Sequence, residues 1–238
     1  VIQYTTLTDS FSFAEKWPYQ EWTIGNNVSF KKSVLEEVHM FEEAFPFKLG
    51  ADDLDLSYRI THKGYLIKSQ PQAVTFHAKD TWKKWKFVKE RAKRWGRMEY
   101  YISRRHPQIF INRIPKTEFI ILLLLLIFGG FSLVAGSVVP LICWALWSLL
   151  TAAVTYYMDT KGTNQKNPVY FWTAKILDIY YYFGHVYEAL KNKSLDGIYK
   201  QMSFSMGQTK MILAKESKRL SMLLVNLAIV AIVMLLVM

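Results

Sequence analysis

The amino-acid sequence predicts part of a mixed α/β domain followed by an α-helical transmembrane region. Three observations carry that prediction. Over residues 1–80, short runs of β-forming residues bounded by Gly and Pro surround one short amphipathic helical stretch. Three uncharged runs, 119–136, 138–158 and 221–238, are 18, 21 and 18 residues long, which is enough for a helix to cross a bilayer. Charge is segregated as well: residues 1–80 hold 8 Lys/Arg against 11 Asp/Glu, 81–116 hold 12 against 2, and 117–238 hold 10 against 6.

Taken in order, residues 1–24 contain Phe13, Trp17, Pro18, Tyr19 and Trp22 without a period and read as a loop and irregular edge. Gly25 to Phe30 reads as a turn into a short strand. Lys32 to Val38 reads as a helical turn with Ser33 as N-cap and Glu36 three residues on. For Asn26 and Asn27, turn chemistry and a binding role stand side by side. Three carboxylates then fall within four residues, Asp52, Asp53 and Asp55. Leu54 with Tyr58, and Leu56 with Ile60, repeat at i,i+4, so the acids open a short helix closed by Gly64. A helix N-terminus carries positive partial charge and free N–H groups, which keep an Asp ionised near neutral pH. Such a carboxylate can serve as a general base; the plainer alternative is a helix cap, with Asp55 pairing Arg59.

Beyond it, Tyr65–Lys68 and Ala73–Phe76 read as two strands separated by Pro71. Residues 81–105 place Trp85, Val88, Ala92, Trp95, Met98 and Tyr101 at helical spacing among clustered Lys and Arg, the pattern of an interfacial amphipathic helix. A basic block just before a long apolar run favours anionic membrane lipids as its electrostatic partner. It disfavours nucleic acid, for which no binding motif accompanies the block. The first two uncharged runs form a transmembrane hairpin turning near Ser137 and Pro140, with both outer ends cytosolic because Lys and Arg flank them. Val169–Leu190 carries Lys175, Asp178, His185 and Glu188, so it reads as an interfacial or bundle-buried helix instead of a span. The last run crosses with the C-terminus outside. The expected divisions are therefore 1–80, 81–116, 117–158, 159–220 and 221–238. Cys143 is the single cysteine, which excludes an intrachain disulfide and a cysteine metal cage.

These segments also carry a resemblance. Gly25-Asn26-Asn27 with Lys31-Lys32, then Met40-Phe41-Glu42-Glu43, resemble the Gly-x-Asn and "GGF-D/E-E" segments of family 2 glycosyltransferases. Asp52-Asp53-Leu54-Asp55-Leu56 resembles that family's Glu-Asp-x-Asp-Leu motif, with Asp52 in the Glu place and Asp53 in that of the catalytic Asp. The stretch from Gly64 to His77 resembles the strand ending in His. Arg91-Ala92-Lys93-Arg94-Trp95 resembles the Gln-x-x-Arg-Trp motif, with Arg91 where Gln would stand. The resemblance implies a GT-A-like fold, present here as its acceptor-side, C-terminal part, in a membrane-anchored, inverting enzyme with its catalytic part facing the cytosol. The donor would be a nucleotide-sugar or lipid-phosphate sugar, and the acceptor a hydroxyl, plausibly lipid-linked. Asp53, with Asp52, would be catalytic; Arg94, Trp95 and Arg91 would meet the acceptor and leaving group; Asn26 and Asn27 would border the donor. A divalent cation, Mg or Mn, would be held largely by an Asp-x-Asp at the end of a nucleotide-binding half that does not precede Gly25 here, with His77 as a further ligand. Residues 1–238 alone are accordingly expected to be inactive. Two rivals stand beside this reading. One is a non-enzymatic membrane protein that docks lipids or a partner. The other is a prenyl-diphosphate enzyme, whose Asp-Asp-x-x-Asp motif the acidic stretch approaches.

Overall fold

The computed structural model describes residues 13–43, 50–76, 84–112, 117–161, 167–202 and 209–237. In chain order the elements are α1 (Phe13–Lys16), β1 (Tyr19–Gln20), α2 (Lys32–Glu37), α3 (Asp52–His62), β2 (Ile67–Lys68), α4 (Trp85–Arg105), β3 (Phe110–Asn112), α5 (Thr117–Ala135), α6 (Val139–Thr160), α7 (Pro168–Lys191), β4 (Lys200–Met202) and α8 (Thr209–Val237). The described chain is mostly helical, with two small antiparallel sheets. One pairs Tyr19 with Lys68 and the other pairs Phe110 with Met202.

Several local expectations change. Gly25–Phe30 and Ala73–Phe76 form no strand, and the strand expected from Tyr65 begins at Ile67. The partner of β2 is β1, which lies in the aromatic entry read as irregular. Strand formation depends on a neighbour far along the chain, so local propensity misplaces both. At Ala73 the backbone turns, with its N–H donating to Gln70 O at 3.0 Å, and Asn27 Nδ2 holds its carbonyl at 2.6 Å. Ser33 does not cap α2. The N-cap is Lys31, whose carbonyl accepts from Val34 and Leu35, with no side-chain cap.

Helix α3 is sandwiched. Leu56 and Ile60 pack with Val38, Phe30, Val34 and Leu35 on the α2 side. Leu54 and Tyr58 pack with Met98 and Ile102 of α4, Trp22 and Met202 on the other. The face of α4 expected on the membrane is therefore largely spent within the protein. Val88 and Ala92 are buried with Leu177 of α7, while Trp85 and Phe87 at its start stay exposed. The crossing of α4 and α7 is backbone to backbone: a Cβ on Gly96 would lie 1.7 Å from Tyr181 O, and one on Gly184 2.0 Å from Lys93 O. Removing the side chain at both positions is what lets the helices touch.

The ionisable residues of α7 are matched by protein groups, as burial requires. Glu188 is fully buried and accepts from Arg97 Nε at 2.5 Å and Tyr101 Oη at 2.9 Å. His185 Nε2 donates to Gly197 O at 2.6 Å, and Lys175 pairs with Asp159 at 2.9 Å and Glu118 at 3.5 Å. Arg219 of α8 joins the same cluster through Asp159 at 2.9 Å, where the start of α5, the end of α6, α7 and α8 meet. Helices α5 and α6 are long and apolar enough to cross a membrane, and they turn back at Gly136, whose φ is +61°. Much of their surface is exposed and apolar, Leu126, Leu133, Val134 and Leu149 included.

Candidate active site

The acidic helix starts abruptly. Gly50 and Ala51 both have positive φ, +87° and +70°, and this reversal places Asp52 and Asp53 in the first turn of α3. Neither acid is the N-cap: that position belongs to Ala51, which makes no side-chain cap bond. The Asp53 carboxylate instead reaches across to the 23–25 segment. Its Oδ2 accepts from Gly25 N at 2.7 Å and its Oδ1 from Leu54 N at 2.8 Å. The same two strips are stitched again where Thr23 N donates to Ser57 Oγ at 3.2 Å and Ser57 Oγ donates to Asp53 O at 2.7 Å. Gly25 is needed for this approach, because a Cβ there would sit 3.2 Å from Asp53 Cβ.

Asp53 is half-buried, and its proton affinity is raised above the ordinary carboxylate. Burial is the main cause and the Asp52 charge adds to it, against the lowering pull of the Gly25 and Leu54 N–H groups. The helix-end effect expected from the sequence is thus present but outweighed. The result is a carboxylate more basic than an ordinary aspartate.

Asp55, two residues on, has the opposite surroundings. It is 1% exposed. Its Oδ2 accepts from Arg59 Nε at 2.9 Å, as the i,i+4 spacing implied. Its Oδ1 forms an ion pair with Arg105 Nε at 2.6 Å and accepts from His106 Nε2 at 2.9 Å. Desolvation raises its proton affinity, but the hydrogen bond from His106 and the charges of Arg59 and Arg105 prevail, and the carboxyl is held below its usual range. Sequence reading found only Arg59. The Arg104-Arg105-His106 triplet closing α4 was the available signal, because cations favour a helix C-terminus, where a carboxylate can meet them.

Of the other expected residues, Asn26 is exposed beside Gly25, and Asn27 uses its amide on Ala73 O, a structural strut. Arg91, Arg94 and Trp95 share α4, the first and last half-buried and Arg94 exposed. Met98, which contacts the Leu54–Tyr58 face of α3, stands one turn further along. The basic motif and the acid pair thus lie on neighbouring helices. Burial lowers the proton affinity of Arg91, and the neighbouring Arg94 charge lowers it further. His77 lies outside the described residues. Among the described residues no group of three His, Cys, Asp or Glu is placed to hold a metal ion.

An acid poised on one helix with paired guanidiniums on the next is a layout suited to group transfer, and comparison with known families names the class: residues 8–191 match a glycosyltransferase model. The family is glycosyl transferase family 21, and the chain belongs to it. The resemblance had pointed to glycosyltransferases through family 2; the match is to family 21. It speaks against the prenyl-diphosphate and non-enzymatic rivals. No curated protein and no solved structure matches the chain.

Proposed function

We propose that the protein is the acceptor-side and membrane part of an enzyme that transfers a sugar with inversion from an activated donor, a nucleotide-sugar or lipid-phosphate sugar, to a hydroxyl at the cytosolic face of a membrane. The observation that carries this reading is Asp53: half-buried, raised in basicity, held by two backbone N–H groups, and one helix away from Arg91 and Arg94. The acceptor hydroxyl attacks the anomeric carbon opposite the leaving phosphate, and Asp53 takes its proton as the new C–O bond forms. The bond from the anomeric carbon to the phosphate oxygen breaks, and the phosphate leaves with the electron pair. Arg94, backed by Arg91, counters that charge. Trp95 offers a face for acceptor stacking, Asp52 strengthens the base, and Asn26 borders the donor. A single in-line displacement inverts the anomeric centre. A divalent cation remains part of the donor reading, with His77 as a candidate ligand, but no step above depends on it.

Membrane placement is supported by the exposed apolar surface of α5 and α6, which is far larger than a soluble surface tolerates. The lysines and arginines near their outer ends favour the cytosol for those ends, and the exposed Lys84, Lys86, Lys93, Trp85 and Phe87 of α4 can meet anionic lipid. Transfer is tested in liposomes with residues 1–238 joined to a nucleotide-binding half, a panel of radiolabelled uridine- and guanosine-diphosphate hexoses and a total lipid extract as acceptor; residues 1–238 alone are expected to give none. The expected result is label in a product whose anomeric configuration is opposite to the donor's, with Arg94→Lys markedly slower at unchanged flotation. A retained configuration, or an Arg94→Lys protein as fast as wild type, would contradict the reading.

A further inference from the structure

Asp55 lies outside the mechanism above, yet it is the most heavily bonded carboxylate near it. Two residues along a helix correspond to a rotation of about 200°, so Asp53 and Asp55 point to nearly opposite sides of α3. Fixing one side fixes the other. The apolar contact of Leu54 and Tyr58 with Met98 and Ile102 does not set that rotation by itself, because apolar burial is non-directional.

The hydrogen bonds to Asp55 from Arg59 and His106 are directional, and the Arg105 ion pair adds to them. Arg59, besides binding Asp55, donates to Val38 O and, at 2.7 Å, to Met40 O, fixing a turn in which His39 and Met40 both have positive φ. Arg105, on the last turn of α4, bonds Glu42 at 2.8 Å as well as Asp55. His106, whose own N–H closes α4 on Ile102 O at 2.9 Å, is 4% exposed and wedged between Tyr58 and His62, with ring centroids 5.5 and 5.6 Å away. Gln108 in turn bonds the His62 ring at 2.7 Å. A carboxylate offers about four acceptor sites; Arg59 and His106 take two, and the Arg105 charge holds the group as well.

We propose that Asp55 is a positioning residue for sugar transfer: through Arg105 and His106 it locks the rotation of α3 against the end of α4, and through Arg59 against the turn at His39 and Met40, so that Asp53 keeps its place beside Gly25. This rests on the transfer reading above. Its consequence is kinetic. Without the lock, donor binding persists while the base loses alignment with the attacking hydroxyl, and water competes for the activated sugar.

The test uses the membrane-embedded enzyme, nucleotide-binding half included, in phosphatidylcholine–phosphatidylglycerol liposomes with the radiolabelled uridine- or guanosine-diphosphate hexose that gives transfer. Asp55→Asn, His106→Gln, His106→Ala and Asp53→Asn are compared for kcat, donor KM, the ratio of transfer to donor hydrolysis, and thermal unfolding. For Asp55→Asn and His106→Ala, kcat is expected to fall about ten- to a hundredfold with donor KM little changed, and the transfer-to-hydrolysis ratio to drop. His106→Gln, which keeps a donor within reach of Asp55, is expected to recover most of kcat. Should Asp55→Asn fail to fold, the two His106 variants carry the test. Losses of kcat that only follow the unfolded fraction, at an unchanged transfer-to-hydrolysis ratio, would overturn the positioning role. So would wild-type kcat in Asp55→Asn and His106→Ala beside an inactive Asp53→Asn. Full transfer by Asp53→Asn would remove the base reading itself, and this proposal with it.

Discussion

Asp53 and Asp55 share one helix turn and meet opposite environments. Asp53 is half-buried and neighbours another acid, and these hold its proton more tightly than usual against the opposing pull of the Gly25 and Leu54 N–H groups. Asp55 is buried among Arg59, Arg105 and His106, and its proton is held less tightly. Identical side chains are thus divided by surroundings into a group able to accept a proton and a group that stays ionised and anchors its neighbours. The difference also shows why counting acids in a motif does not assign their roles: the decisive partners of Asp55 lie about 50 residues away.

The comparison can be broken first from beneath. Gly184→Ala should press a Cβ into the Lys93 carbonyl, forcing α4 and α7 apart at a cost of roughly 1–3 kcal/mol, and moving the helix that serves both acids. Thermal unfolding should show the largest loss of this series, with transfer reduced as well. The next effect separates the two carboxylates by sign. Asp55→Asn should lower stability at neutral pH by about 2 kcal/mol, below the usual loss for a broken buried pair because Arg59 and Arg105 remain partly solvated. Since the folded carboxyl has a depressed proton affinity, its contribution is complete above the ordinary carboxylate range, about pH 4, and is lost as pH falls through the lowered value. The gap between wild type and Asp55→Asn should therefore close in acid. Asp53→Asn should do the reverse: its raised proton affinity means the ionised form costs stability above that value, so the neutral variant should be as stable as wild type or slightly more so at neutral pH. Unfolding temperatures measured from pH 3 to 8 decide both.

A smaller effect sharpens the electrostatics. The Asp52 charge raises the proton affinity of Asp53, so Asp52→Asn should move the acid limb of kcat/KM to lower pH. A limb that stays in place would remove Asp52 from the base's environment. Gly25→Ala should be the mildest, since the neighbour need yield only a few tenths of an ångström. Transfer should slow a few-fold with unfolding unchanged, because what must shift is the Asp53 side chain.

Local patterns were legible where local physics decides the outcome. The i,i+4 pairs of α3, the uncharged runs of α5 and α6, and the Asp55–Arg59 pair need only neighbours along the chain. The pairing of β1 with β2, the Gly96–Gly184 crossing and the His106–Asp55 bond all join distant segments, and nothing in a window of ten residues encodes them. Gly25 was read as a turn residue, although its use is close approach to Asp53; a glycine's sequence context does not distinguish the two. The amphipathic face of α4 was legible as apolar. What it covers, α3 and α7, was not, because a hydrophobic stripe fits lipid and protein alike.

The most direct measurement is sugar transfer by Asp53→Asn beside its donor affinity, both in liposomes. The substitution keeps the shape of the side chain and deletes its basicity. If Asp53 is the base, transfer at saturating donor should fall about 10²–10⁴-fold, while donor affinity stays within about twofold, since an interaction made only in the transition state has been removed. Transfer close to wild type at the same donor affinity would contradict the account and leave Asp53 as a strut between α3 and Gly25.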